Sequence, residues 1–190
     1  MYVNPLFEKL SPLPGSEFAW YYFDDTHLVL QVPCDPRPKG SASPLPGVTK
    51  EGKPYIKWIA GSDSAGKAKG KMDEQERKIR LAIACLWKQG FVPYDEGCQL
   101  DLDCIFIAPK ARISEEKHLI YPDRDKLLRS VQDMISPPIQ NRKSIYEIPH
   151  LVRNDSQIYA GHTEKHWLHT WCKRTGLNDD SAGVYICLKP

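Results

Sequence analysis

The sequence predicts an α+β fold, a small mixed β-sheet packed with helices, in a single domain over residues 1–190. Three observations predict it. Short β-branched or alternating runs and amphipathic runs follow one another irregularly, without the strict repeat of a doubly wound sheet. Neither a Rossmann glycine fingerprint nor a Walker phosphate loop is present. The 190 residues suffice to bury a core without staples, and no internal repeat or second-domain boundary interrupts them.

In chain order, residues 1–26 read as an irregular extension in which Trp20, Tyr21, Tyr22 and Phe23 cluster beside Asp24 and Asp25. The core spans about 27–188. His27 to Val32 is its first strand, because HLVLQV is short, β-branched and closed by Pro33. Residues 33–54 hold six prolines and three glycines and read as an ordered, irregular loop. YIKWI at 55–59 is a short strand, and residues 60–71 read as flexible. A helix is expected over about 73–89, with Ile79, Ile83, Leu86 and Trp87 as its apolar stripe and Gly90 as its stop. Residues 99–107 alternate as a strand. A second helix is expected over about 123–135, which Pro137 and Pro138 prevent from continuing. Residues 136–153 are a long connection, 157–163 a strand candidate, 166–182 an extension, and 183–188 the last strand.

Composition narrows the function. The 26 basic and 24 acidic residues leave a net charge of +2, which excludes an extreme polybasic or polyacidic chain. A local basic surface can still meet phosphates. No run approaches the ~20 apolar residues of a membrane span. The first residues lack the basic head and apolar centre of a secretory signal. The six scattered cysteines include no CxxC pair and read as reduced thiols, which suits a cytoplasmic protein.

The sharpest local feature runs from Tyr121 to Asp133. Pro122 sets the start of the helix and Asp123 caps it. Asp125, Arg129 and Asp133 stand four residues apart and share a helical face. Two carboxylates held close together need a compensating charge, and Mg²⁺ supplies it through hard oxygen ligands. Asp155, just before a predicted strand, is a candidate third ligand. The competing reading is an acidic helix start carrying an Asp125–Arg129–Asp133 surface ladder.

Asp123-x-Asp125-Lys126-Leu127-x-Arg129-x-x-x-Asp133, followed by Asn154-Asp155-Ser156-Gln157-Ile158, resembles the RusA family of Holliday junction resolvases. Pro38-Lys39-Gly40-Ser41 is similar to that family's early Pro-x-x-Lys segment. Trp87-Lys88-Gln89-Gly90 fits the end of its first helix, and Lys165 falls at a family lysine. The resemblance implies a homodimeric endodeoxyribonuclease, often phage-borne, that uses Mg²⁺, with Mn²⁺ as a substitute, to cut four-way junctions and other branched DNA. It implies Asp123, Asp125 and Asp155 as metal-binding catalytic residues, Asp133 as a supporting acid, and Arg129 in place of a catalytic lysine. Three features depart from the family pattern. Asn154 replaces the first acid of the usual distal Asp-Asp pair, arginine replaces lysine at 129, and the 136–153 and 166–182 segments are longer than the family's loops. Arg129 keeps the charge and gains a phosphate fork but does not give up a proton, so it reads as a clamp. The alternative is a catalytically weak or inactive junction-binding protein on the same fold.

DNA affinity needs basic groups. Between Arg37 and Arg80 there are 11 Lys/Arg against 5 Asp/Glu. Lys39, Lys67, Lys69, Lys71 and, further on, Lys165 are the DNA-contact candidates. Lys67, Lys69 and Lys71 stand out because glycine and alanine surround them. Other groupings are weaker. Asp101 and Asp103 share one face of a strand and read as its solvated side. His162, His166, His169 and Cys172 match no familiar zinc spacing. No cysteine carries a nucleophile elbow.

Overall fold

The computed structural model describes residues 5–37, 43–48, 54–59, 67–108, 112–113, 119–120, 123–137, 148–175 and 182–190. The strands are β1 (Ser11–Pro12), β2 (Trp20–Phe23), β3 (Leu28–Val32), β4 (Ser43–Val48), β5 (Pro54–Ile59), β6 (Leu100–Ala108), β7 (Arg112–Ile113), β8 (Leu119–Ile120), β9 (Ile158–Ala160), β10 (Thr163–Trp167) and β11 (Gly183–Lys189). The helices are α1 (Lys67–Lys88), α2 (Arg124–Ile135) and α3 (Leu168–Thr175). The class is α+β. The described strands form a seven-stranded mixed sheet in the order β1-β2-β3-β11-β6-β10, with β9 also on β6, and two separate two-stranded ribbons, β4–β5 and β7–β8.

β11 is the last strand of the chain and lies mid-sheet, antiparallel to both β3 and β6. Its first six residues are buried, which is why GVYICL is apolar without a break before Lys189. β9 and β10 run parallel to β6. Parallel neighbours need a crossover, and α2 provides it. One sheet face carries Leu28, Leu30, Val32, Leu102, Cys104, Phe106, Val184 and Ile186 against Ile79, Ile83 and Leu86 of α1 and Leu127, Val131 and Ile135 of α2. The other face packs Ile107 and Tyr185 on Trp171 of α3, with Phe7 and Leu10 from the N-terminal turn.

Several expectations change. The N-terminal extension is part of the sheet, since β2 pairs with β3 in register. Its turn is organised by Asp24, whose carboxylate accepts from the Tyr22 hydroxyl, the Thr26 N–H and hydroxyl, and the His27 N–H. Those donors, the Tyr22 hydroxyl first, hold the Asp24 carboxyl far below the usual carboxylate range. The proline-rich segment contains β4, paired with β5. Pro44 and Pro46 are two apart, so both point their missing N–H to the same edge, and a two-stranded ribbon leaves one edge of each strand unpaired.

α1 begins at Lys67, not near 73, because lysine, alanine and methionine favour helix over the glycine-based expectation of a flexible run. It ends as expected. Gly90 adopts φ +90°, its N–H bonds the Trp87 carbonyl at 3.0 Å, and the Phe91 N–H bonds Leu86 at 3.1 Å. This is a Schellman motif, closed by contact between apolar Leu86 and Phe91. The strand expected over 157–163 is split into β9 and β10 around Gly161, where a β-carbon would collide with the Leu102 carbonyl. Lys39, with Pro38, Gly40 and Ser41, lies outside the described residues, as do Tyr121, Pro122 and most of the 136–153 connection.

Candidate functional site

The first turn of α2 forms as its sequence dictates. Asp123 is the N-cap, and its side chain accepts the Asp125 N–H at 3.2 Å. Leu127, Ser130, Val131, Met134 and Ile135 are buried. That leaves Asp123, Asp125 and Arg129 exposed on the outer side. Asp125 is 85% exposed, and its ion pair is a loose 3.8 Å contact with neighbouring Arg124. The Asp125–Arg129–Asp133 ladder is not formed: among the described residues Arg129 pairs with neither acid. The inner side of α2 is tied to α1, where Arg80 donates to the Asp133 carbonyl at 3.3 Å and to Glu76 at 2.8 Å.

Sheet register adds a second cation. Lys165 of β10 pairs with Phe106, whose side chain lies on the face that carries α2. This is near the C-terminal end of β6, where the chain leaves toward Asp123. Arg37 is anchored at the same helix. Its N–H bonds buried Gln75 at 2.6 Å, and its carbonyl accepts from buried Ser130 at 3.2 Å. The sequence reading missed Gln75 and Ser130; a glutamine and a serine at the apolar positions of two amphipathic helices were the available signal.

The distal motif is a capped 3-10 turn, Asp155–Gln157. Asn154 accepts the Ser156 N–H at 3.1 Å. Gln157 is 4% exposed. Its Oε1 accepts from Arg153 N–H at 2.8 Å and Asn154 N–H at 3.1 Å, and its Nε2 donates to the carbonyls of Asp95 at 2.6 Å and Cys98 at 3.3 Å. The asparagine at 154 therefore stands at a cap, a place asparagine and aspartate fill equally well. Gln157 was missed as a structural residue, although Asn-x-x-Gln reads as a capping box. Asp155 itself is exposed.

The acids do not meet. Leu151 and Val152 N–H groups bond the Ile135 carbonyl at the far end of α2, at 2.8 and 3.4 Å. Val152 bridges to Tyr94, and Ile158 pairs with Leu100 at the first residue of β6. Asp155 is thus held where the crossover finishes, and Asp123 and Asp125 where it begins. The ten residues from Asp125 to Ile135 span about 15 Å of helix. Among the described residues no three His, Cys, Asp or Glu side chains are grouped so as to hold a metal ion. The three-aspartate Mg²⁺ set expected from the resemblance is therefore not assembled within one chain.

The remaining candidates sort by face. Lys67, Lys69 and Lys71 are on the first turns of α1, not on a loop, with Lys67 and Lys71 at i and i+4. Asp101 and Asp103 alternate with buried Leu100, Leu102 and Cys104, as expected, on the face opposite α2. Asp103 accepts the His162 N–H at 2.8 Å and pairs with Lys189. Glu164 accepts from His162 at 3.1 Å and from His166 at 2.7 Å, with His166 on strand β10. No disulfide joins the six cysteines, all of which are among the described residues; burial pushes the Cys34 thiol up to about 12 and raises that of Cys104. Among the described residues no helix is long and apolar enough to cross a membrane. Compared with protein-family models, curated proteins and solved structures, the chain matches none.

Proposed function

We propose that the chain is a Mg²⁺-dependent, structure-selective endodeoxyribonuclease that hydrolyses phosphodiester bonds at Holliday junctions and acts as a homodimer. The observation that supports it is the outer side of α2. Asp123 and Asp125 project there as exposed carboxylates beside Arg129, a guanidinium that neither Asp125 nor Asp133 engages. Lys165 lies on the same sheet face. A guanidinium that among the described residues pairs with neither neighbouring acid suits a bidentate phosphate contact. Acids for chemistry next to cations for a phosphate diester is the combination this reaction needs, and it matches the residue order that resembles the RusA family.

The test is incubation with a synthetic four-way junction and with linear duplex of the same sequence, each with and without Mg²⁺. The reading expects paired cuts in the junction only, and only with the metal. Uncut junction across a Mg²⁺ and Mn²⁺ titration overturns it. A second reading is favoured by the separation of Asp155 from Asp123 and Asp125: a junction-binding protein that retains the fold and cuts poorly. It predicts a tight, salt-sensitive junction complex and no product.

A further inference from the structure

We infer that Arg37 and Arg80 form a phosphate-binding pair on the seam between α1 and α2, apart from the exposed acids at the start of α2. This rests on the DNA-binding part of the reading above and adds two residues to it, neither of them among the lysines that the sequence singles out for DNA.

Two buried polar side chains hold Arg37 by its backbone. Gln75 of α1 accepts the Arg37 N–H at 2.6 Å, and Ser130 of α2 donates to the Arg37 carbonyl at 3.2 Å. The peptide groups on either side of one α-carbon are thereby tied to two different helices, which fixes where the Arg37 side chain leaves the backbone. Arg80 of α1 reaches the same seam. Its Nε donates to Glu76 at 2.8 Å and its Nη2 to the Asp133 carbonyl at 3.3 Å. Gln75 and Glu76 are adjacent on α1, and Ser130 and Asp133 stand about one turn apart on α2. The two arginines are therefore neighbours along the seam.

Each guanidinium is oriented but only partly used. Asp35 takes Nη2 of Arg37, and Glu76 takes Nε of Arg80. Arg37 Nε and Arg80 Nη1 are buried and, among the described residues, meet no acceptor. Native proteins rarely leave a buried donor in that condition, so each calls for an acceptor. The side chains still reach the surface, Arg37 with 16% and Arg80 with 27% of its area exposed, so the seam is open to solvent. Water can serve one such donor. An oxyanion also gains from both cations, and a tetrahedral phosphate has oxygens for both N–H groups while Asp35 and Glu76 hold the guanidinium planes in place.

Wild type, Arg37→Gln, Arg80→Gln and the double variant test the pair. Calorimetric titration with inorganic phosphate is run beside the salt dependence of binding to a four-way junction and to linear duplex, and urea unfolding shows that each variant is folded. The double variant is expected to lose phosphate binding, and its log–log salt slope on DNA to fall by about 1, the value for one phosphate contact. Lost phosphate binding with an unchanged DNA slope assigns the pair to a free phosphate. A lowered slope where wild type ignores inorganic phosphate assigns it to the DNA backbone. Phosphate that binds the double variant as it binds wild type overturns the site, as does unchanged DNA binding where wild type ignores phosphate. A slope lower by about 2 also overturns it, because the arginines then meet separate phosphates. Should a glutamine variant not fold, Arg37→Lys and Arg80→Lys keep the charge and remove the fork; phosphate binding equal to wild type in both overturns the pair. No readout depends on cutting, so a wild type that shows these effects and leaves the junction uncut removes the nuclease reading alone.

Discussion

Asp123 carries a fold role and a proposed chemical role in one side chain, and substitutions separate them. Asp123→Ala removes the N-cap of α2 and is expected to cost about 1 kcal/mol of stability. Asp123→Asn keeps a capping oxygen, so its urea midpoint should stay near wild type while cleavage is lost. Equal cleavage by wild type and Asp123→Asn would remove the residue from the chemistry. Arg129 is the converse case. Because neither Asp125 nor Asp133 engages it, Arg129→Gln should leave the thermal midpoint within about 2 °C, by analogy with surface changes of under ~0.5 kcal/mol. Its single-turnover rate on a junction should fall, with Arg129→Lys retaining part of it. Equal rates for wild type and Arg129→Gln refute a catalytic role. His150 makes a prediction about pH. It is 2% exposed, its Nδ1 meets the Ile148 carbonyl at 2.7 Å, and its ring packs against Trp87. Burial, with Arg153 nearby, lowers its pKa against the opposing Ile148 bond. A folded pKa below the unfolded value of about 6.5 means the unfolded chain binds the proton first. The His150 contribution is therefore complete above about pH 6.5 and declines as pH falls toward the folded value. Urea unfolding at several pH values should show this slope in wild type and a smaller one in His150→Gln.

At the scale of elements, α2 was read from the sequence, while the 154–157 turn was read only as the approach to a strand. α2 follows from a capping aspartate, an apolar stripe and a proline stop, all local. The turn follows from a capping box, but its anchoring to Asp95 and Cys98 is long-range, and no local pattern announces it. Gln157→Ala should cost about 1–3 kcal/mol, because partly buried backbone groups at Arg153, Asp95 and Cys98 lose their partner. A change under 0.5 kcal/mol by denaturant titration would show that water replaces the side chain without penalty. The start of α1 was misread: glycine and serine suggested a loop, while the lysines, Ala68 and Met72 extended the helix. That changes the expectation for DNA. Lys67 and Lys71 stand one turn apart, with Lys69 on the other side. Lys67→Ala with Lys71→Ala should lower the log–log salt slope of junction binding by up to ~2 units, and Lys69→Ala by little. An unchanged slope in the double variant would make these lysines solvated surface.

For the whole molecule, the amino-acid sequence by itself determined the α+β class, the main core strands, both long helices and the exposed side of α2. Periodicity, caps and breakers act within a few residues, so they can be read without knowing what packs on what. Tertiary structure alone decided that the final strand lies mid-sheet, that the aromatic N-terminal segment is a sheet strand between β1 and β3, and that Lys165 shares a face with α2. It also decided that Asp101 and Asp103 lie on the opposite face. Each of these depends on which strand pairs with which, and a one-residue change of register would reverse every face assignment. The same cause explains the aspartates. Their order along the chain resembles a metal site, but a crossover helix starts at one end of its strand and finishes at the other. The residues on either side of α2 are therefore carried apart by the length of the helix, which no pattern within either motif reveals.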